Sequence, residues 1–209
     1  MHVSDLSDWQ IQVATERSRY RPVAMDEKFE DLLDAARDGD RRAFGEIFKR
    51  LNPILVSFLS AMDAANAEDI ASDTWITAIG HLASFNGGEG DLRAWIFTIA
   101  RRKLIDLSRA SYRRLSDPID PLQMEIESKD WNPERSVVEA MSVKELAGYI
   151  VRYLTPQQAE VVLLGAIAGL RAIEIAEVIG KSPGAVRMLQ HKALRRLERS
   201  AMPLSVVSE

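Results

Sequence analysis

The chain has 209 residues, a formal net charge of −4 and a hydrophobic share of 46%, which is ample for a packed core and excludes a disordered protein. Its complete lack of cysteine excludes disulfides, thiol catalysis and thiolate metal sites. Neither a secretory signal nor an apolar run near the roughly 20 residues of a membrane span is present, so we expect a cytoplasmic protein without membrane insertion.

Helical periodicity runs through most of the chain and predicts an all-α protein. Residues 1–25 are polar, and we expect this N-terminal extension to be disordered. Asp26 is a candidate N-cap for the first helix, and Asp40 is a candidate N-cap for the second. Pro53 falls within the second helical pattern, where it either kinks the helix or restarts it.

A third helix and a long fourth helix complete the first half of the chain. Asn66, with Asp69 three residues later, predicts a capping box at the start of the third helix. The glycine-rich stretch FNGGEGD follows and predicts a loop. Asp91 is then the expected cap of a helix that runs from Leu92 to about Arg113.

An acidic segment with three prolines separates this half from the next and predicts a flexible linker. Helical pattern resumes near Ser136, and Thr155, followed by proline and then Gln158, predicts a capping box. The predicted units are the extension (1–25), a first helical domain (26–114), the linker (115–135), a second helical domain (136–200) and a tail (201–209).

The stretch IEIAEVIGKSPGAVRMLQHKALRRL has the spacing of a helix-turn-helix. Ala176 is small enough for two helices to cross closely, Gly180 suits a turn with positive φ, and Val186 fills the space between the helices. Ser182, which precedes a proline, is a suitable cap for the second helix. The N-terminal part of such a helix reaches base edges in the DNA major groove.

The second helix of this unit gathers positive charge in an acidic chain. Arg187 can pair with guanine or phosphate and Gln190 with adenine, whereas the later cations favour phosphate contacts. The alternative is a basic helix face that is simply solvated. The candidate duplex-DNA residues are Ser182, Arg187, Gln190, His191, Lys192, Arg195 and Arg196.

The long helix of the first half is basic as well, with seven basic and two acidic residues in DLRAWIFTIARRKLIDLSRASYRR. Cations interleaved with an aromatic residue suit single-stranded nucleic acid, although Trp95 also fits a core position. The preceding helix carries Glu68, Asp69 and Asp73. This acidic edge would repel phosphate and fits a basic protein partner, the alternative being solvated acids favoured by the helix dipole.

The order and spacing of the acidic helix, the basic long helix, the acidic linker and the helix-turn-helix resemble those of an extracytoplasmic-function (ECF) sigma factor. This is the compact class of the sigma-70 family, with regions 2 and 4 only. The resemblance covers about residues 29–200. It implies a helical-bundle region 2 and a helix-turn-helix region 4, without a cofactor. It is carried by AEDIASDTWITAI, LRAWIFTIARRKLIDLSR, the acidic linker, LTPQQAEVVLL and IAEVIGKSPGAVRMLQHKALRRL.

The resemblance also implies partners and site residues. Core RNA polymerase would be bound through its β′ clamp and β flap, promoter DNA through the −10 and −35 elements, and an anti-sigma factor is expected. The −35 duplex would be read by Arg187, Gln190, His191 and Arg195. The polymerase set would be Glu68, Asp69, Asp73 and Trp75. The melted −10 strand would meet Asn86, Trp95, Arg101, Arg102, Arg109 and Arg113.

The chain departs from the family pattern at two of these places. Arg102 stands where many relatives carry asparagine, so the base preferred at −10 is open. Ala185 replaces an alcohol before Val186, which removes one phosphate contact. The role of the extension, residues 1–25, is open as well.

Three other classes of protein fit the sequence less well. An enzyme is disfavoured because FNGGEGD lacks the Lys-Ser/Thr of a phosphate-binding loop and the three histidines have no metal-ligand spacing. A helix-turn-helix regulator that acts without polymerase would need a sensory domain and has no use for the basic long helix. A purely protein-binding adaptor leaves both basic stretches unexplained.

Overall fold

The computed structural model describes residues 27–115 and 143–201, and every regular element in these ranges is a helix, which confirms the all-α prediction. The predicted extension, the Asp26 cap, most of the linker and residues 202–209 lie outside these ranges. The elements are α1 (Glu27–Arg37), α2 (Arg41–Met62), α3 (Ala67–His81), a 3-10 turn (Leu82–Ser84), α4 (Glu89–Leu115), α5 (Val143–Tyr153), α6 (Pro156–Ala166), α7 (Ala172–Ile179) and α8 (Pro183–Ala201).

Two predicted caps are confirmed by their hydrogen bonds. The Asp40 carboxylate accepts from the backbone N–H groups of Arg42 and Ala43 at 2.7 and 3.3 Å. At the start of α6, the N–H of Gln158 donates to the Thr155 hydroxyl at 3.4 Å, and the Thr155 N–H donates to the Gln158 side chain at 3.2 Å. Each bond satisfies a backbone donor that the first helical turn leaves without a partner.

Two other predicted caps are wrong. The Asn66 side chain makes no cap bond with α3, because its amide donates to the Asp63 carboxylate at 2.8 Å. The helix α4 begins at Glu89, three residues before the predicted start. Asp91 therefore lies inside the first turn, where its carboxylate accepts from the Gly88 N–H at 3.0 Å. The helix α2 continues through Pro53 without restarting.

The contrast between Asp40 and Asn66 yields a stability prediction. Asp40→Ala should lower the free energy of unfolding by about 1 kcal/mol, since it removes a formed cap. Asn66→Ala should lower it by clearly less, because no cap bond is lost. Urea denaturation of the two variants measures the difference, and equal losses would contradict this assignment of caps.

The first half is a bundle in which α2 contacts α1 and α3, and α3 contacts α4. Its core is aromatic as well as aliphatic: the Phe58 and Phe97 rings meet edge to face, with centroids 5.3 Å apart. Ile96, Ile99 and Ala100 are buried, as their spacing on α4 predicts. This face of α4 holds the helix in the bundle and leaves the remaining faces for other contacts.

The second half contains the predicted helix-turn-helix, formed by α7 and α8. Ala176 and Val186 are buried between the helices. Gly180 ends α7 in the left-handed conformation, with φ of 68°, as the turn requires. The Ser182 hydroxyl accepts from the Ala185 N–H at 3.2 Å and so caps α8.

The two halves are docked on each other in this structure. Helix α4 contacts α7, while α2 contacts α5 and α6, and the buried apolar residues of both halves form one cluster. Across the contact, the Arg101 guanidinium bonds the Glu160 carboxylate at 2.6 and 3.4 Å. The Arg93 guanidinium lies 3.5 Å from the Ala168 carbonyl oxygen.

The docked surface includes an incompletely satisfied ion pair. Arg93 is buried and bonds the buried Glu89 carboxylate at 2.6 Å. Burial raises the pKa of the Glu89 carboxyl, and the Arg93 guanidinium opposes part of that rise. Among the described residues, Oε2 of Glu89 and Nε of Arg93 have no hydrogen-bond partner. Such buried, unpartnered atoms cost free energy and weaken the contact that buries them.

Candidate nucleic-acid and polymerase interfaces

An open cavity of about 460 Å³ lies where the end of α3, the 3-10 turn and the start of α4 meet. Its volume is within the range of roughly 300–1,000 Å³ that is typical of sites for small ligands. Three predicted −10 residues, Asn86, Trp95 and Arg102, lie around it although they come from different segments. The full lining is Thr77, His81, Ser84, Phe85, Asn86, Trp95, Ile99 and Arg102.

The cavity has an aromatic wall. The rings of Phe85 and Trp95 are stacked, with centroids 4.9 Å apart and planes inclined by 24°. The Arg37 guanidinium lies over the Phe85 ring at 5.4 Å. Trp95 is half-buried, so it is neither a core residue nor a free surface residue. Aromatic rings in this setting provide a platform on which an unpaired base can stack.

The glycine-rich loop beside the cavity is held by α1. Arg37 donates a hydrogen bond to the Gly87 carbonyl, and the Glu89 N–H donates to the Glu30 carboxylate at 3.0 Å. A Cβ atom at Gly87 would lie 2.7 Å from the Cβ of Asp91, closer than two such atoms can approach. Glycine is therefore required there for the loop to follow its path.

The other predicted −10 residues are not part of this cavity. Arg101 is engaged by Glu160 of the second half, and its guanidinium is not free in the docked form. Arg109 is exposed further along α4, and the Arg113 side chain lies outside the described part of the structure. The structure thus brings together three of the six residues.

The exposed face of α3 carries the predicted acidic edge. Glu68, Asp69 and Asp73 are all exposed, and only Asp73 has a cation near it, the Lys103 ammonium at 3.9 Å, among the residues described. Trp75 is a correction to the predicted set. It is buried against α2, where its indole N–H donates to the Asn52 amide oxygen at 2.9 Å, so it cannot be a surface contact.

Sequence reasoning missed two apolar residues on that same face. Ile76 is 68% exposed and Ile79 is 56% exposed, although large aliphatic side chains are usually buried. Ile76 follows Asp69 by seven residues and Ile79 follows Glu68 by eleven, and both spacings place the isoleucines in line with the acids on the helix. That spacing was a readable signal. Exposed isoleucines next to acids are typical of a protein-binding surface.

The exposed face of α8 carries most of the predicted duplex-DNA residues. Arg187, His191, Lys192, Arg195 and Arg196 are all exposed. This face therefore presents four full positive charges and one histidine along one side of a helix.

Gln190 lies elsewhere on α8. It is half-buried, and its amide nitrogen would be 3.6 Å from a Cβ atom at Gly165, so it faces α6. We remove Gln190 from the proposed base-reading residues for this reason. Met188, which the sequence analysis did not select, is 55% exposed among the cations.

Comparisons with known proteins agree with this geometry. The sigma-70 region 2 profile matches residues 47–114, and the sigma-70 region 4 profile matches residues 144–197. The ECF RNA polymerase sigma factor SigD of Mycobacterium tuberculosis is 31% identical over 178 residues, which cover 82% of this chain and 83% of SigD. The chain belongs to the ECF sigma factors.

Two further comparisons place this ECF sigma factor among its relatives. BldN of Streptomyces coelicolor is 33% identical over 171 residues; the match covers 81% of the present chain and 64% of BldN, so the chain spans less than two thirds of that relative. The structure of RpoE with the anti-sigma factor NepR from Bartonella quintana matches with a TM-score of 0.59 at 24% identity, over 75% of this chain and 94% of RpoE. That structural likeness concerns the fold.

The described part of this ECF sigma factor was also searched for membrane-spanning helices and for clusters of metal-binding side chains. No helix there combines the length and apolar character needed to cross a bilayer. Within residues 27–115 and 143–201, no three acidic or histidine side chains gather in a metal-binding arrangement.

Proposed function

We propose that this ECF sigma factor joins core RNA polymerase and directs it to promoters whose −10 and −35 elements it reads with regions 2 and 4. The cavity between α3 and α4 is the observation that carries this proposal. It brings Asn86, Trp95 and Arg102 around one space next to an aromatic wall. A regulator that binds only duplex DNA has no use for such a cavity. A protein that captures an unpaired base from a melted strand needs one.

In the −10 complex, an unpaired base enters the cavity and stacks against the aromatic wall. Asn86 and Arg102 supply hydrogen-bond donors at the rim, and Thr77 and Ser84 supply hydroxyl groups. His81 adds a further polar group that the sequence analysis did not select. These groups select the base by its edge, and Arg109 meets the strand further along α4.

Core polymerase is bound by the exposed face of α3. Glu68, Asp69 and Asp73 provide the charge that a basic clamp helix requires, while Ile76 and Ile79 provide the apolar contact. We further propose a proteinaceous inhibitor for this chain, by analogy with RpoE, which was solved with NepR. The site of action is cytoplasmic, and the protein catalyses no reaction of its own.

Transcription reconstituted with purified components tests the proposal. Core polymerase, the full-length chain and a library of templates with randomised upstream regions should yield transcripts from a defined subset of sequences. Core polymerase alone should yield none from that subset. The same transcripts without the chain would refute the proposal, as would failure of the chain to bind the β and β′ subunits.

Arg187 provides a prediction for the −35 contact. Arg187→Ala should cost about 1–3 kcal/mol at one base pair of the preferred −35 element, because an exposed arginine in this part of the helix can bond guanine with two hydrogens. Competition binding of the holoenzyme to templates with single −35 substitutions measures this loss. An equal loss on all templates would show that Arg187 contacts only phosphate.

A further inference from the structure

The exposed face of α8 contains one large apolar side chain whose position calls for an explanation. Met188 is 55% exposed. It lies one helical turn after Gly184 and one turn before His191 and Lys192, all of which are exposed. Met188 is therefore in the middle of the basic face and not at its edge.

The surroundings of Met188 limit what can cover it. Arg187, Lys192 and Arg195 repel a basic protein surface, and they attract phosphate. Gly184, one turn earlier, adds no side chain that would keep a groove wall at a distance. A partner that covers Met188 must therefore carry negative charge around its edge and approach the helix closely. A duplex major groove does both, since phosphates line its rims and base edges form its floor.

We propose that Met188 reads the 5-methyl group of a thymine in the −35 element. The thymine methyl is the apolar group that the major groove displays, and proteins recognise it by apolar contact. The unbranched thioether of methionine adapts to such a shallow target. This inference rests on the proposed −35 function and adds a base preference to it. Met188 lies on the exposed face of α8, whereas the Gln190 side chain faces α6.

Deoxyuridine tests this directly, because it lacks the methyl group and keeps every hydrogen bond of thymine. The holoenzyme first selects its preferred −35 sequence from a randomised library. Deoxyuridine then replaces each thymine, one at a time, on either strand. At one position the replacement should weaken wild-type binding about fourfold, as expected for burial of one methyl-sized group. The Met188→Ala holoenzyme should not distinguish the two bases there.

Matched variants separate the possible outcomes. Ile173→Ala removes another exposed apolar residue, on α7, and should keep the methyl effect. A preferred element without thymine, the absence of any methyl effect, or a methyl effect that persists in Met188→Ala would each overturn the inference. Failure to select any −35 sequence would instead count against the proposed function itself.

Discussion

Replacing Ile76 and Ile79 together with alanine is expected to weaken binding of core RNA polymerase by about thirtyfold or more. The two side chains are 68% and 56% exposed, so the free chain gains little stability from them. At a protein interface, central aliphatic contacts of this kind contribute about 2 kcal/mol, which corresponds to a factor of about thirty. Titration of fluorescently labelled chain with core polymerase measures the change.

The matched control for this prediction is Ile173→Ala, which removes an isoleucine that is 53% exposed on α7. It should leave the affinity for core polymerase close to that of the wild-type chain. Thermal denaturation of all variants should give unchanged midpoints, since the substituted residues are outside the core. An unchanged affinity for the double variant, or an equal loss in Ile173→Ala, would show that the α3 face is not the polymerase surface.

Removal of the Trp95 ring is expected to impair capture of the melted −10 strand. Trp95→Ala should weaken open-complex formation by a factor of about 5 to 160, because stacking of one base on an aromatic side chain is worth about 1–3 kcal/mol. Binding of the −35 duplex should be unaffected, since it depends on the other half. Fluorescence of 2-aminopurine in the −10 non-template strand reports base capture.

Two other variants distinguish loss of the platform from loss of the fold. Trp95→Phe keeps an aromatic ring next to Phe85 and should retain most of the activity. Trp75→Ala removes a buried ring and its hydrogen bond to Asn52, so it should lower the unfolding midpoint far more than Trp95→Ala does. Full open-complex formation by Trp95→Ala would refute the role of the aromatic wall.

Local chemistry explains which predictions of the fold were right. The caps at Asp40 and Thr155 and the positive φ at Gly180 depend on groups within four residues of one another, so a short stretch of sequence contains all the participants. The failures at Asn66 and Asp91 share one cause. The Asn66 amide bonds Asp63 and the Asp91 carboxylate bonds the Gly88 N–H, and the folded backbone decides which group each of these short polar side chains meets.

The predicted site residues likewise divide into those that local spacing placed correctly and those that depended on the tertiary packing. Exposed cations on α8 and exposed acids on α3 follow from helical spacing, which places residues three and four apart on one side. The spacing does not say which side faces the core, and for this reason Trp75 and Gln190 were assigned to surfaces that they do not occupy. Ile76 and Ile79 were overlooked for the converse reason, since apolar residues are expected inside.

The sequence by itself determined the helical class, most helix boundaries, the family and the two charged faces, because each of these depends on short-range patterns. Only the tertiary structure decided that Asn86, Trp95 and Arg102 surround one cavity, and that Arg101 meets Glu160 from 59 residues away along the chain. Contacts of that kind depend on how α3, α4 and α6 are placed in space. Many packings are compatible with the same helical pattern, and the balance of burial and charge across the whole chain selects one of them.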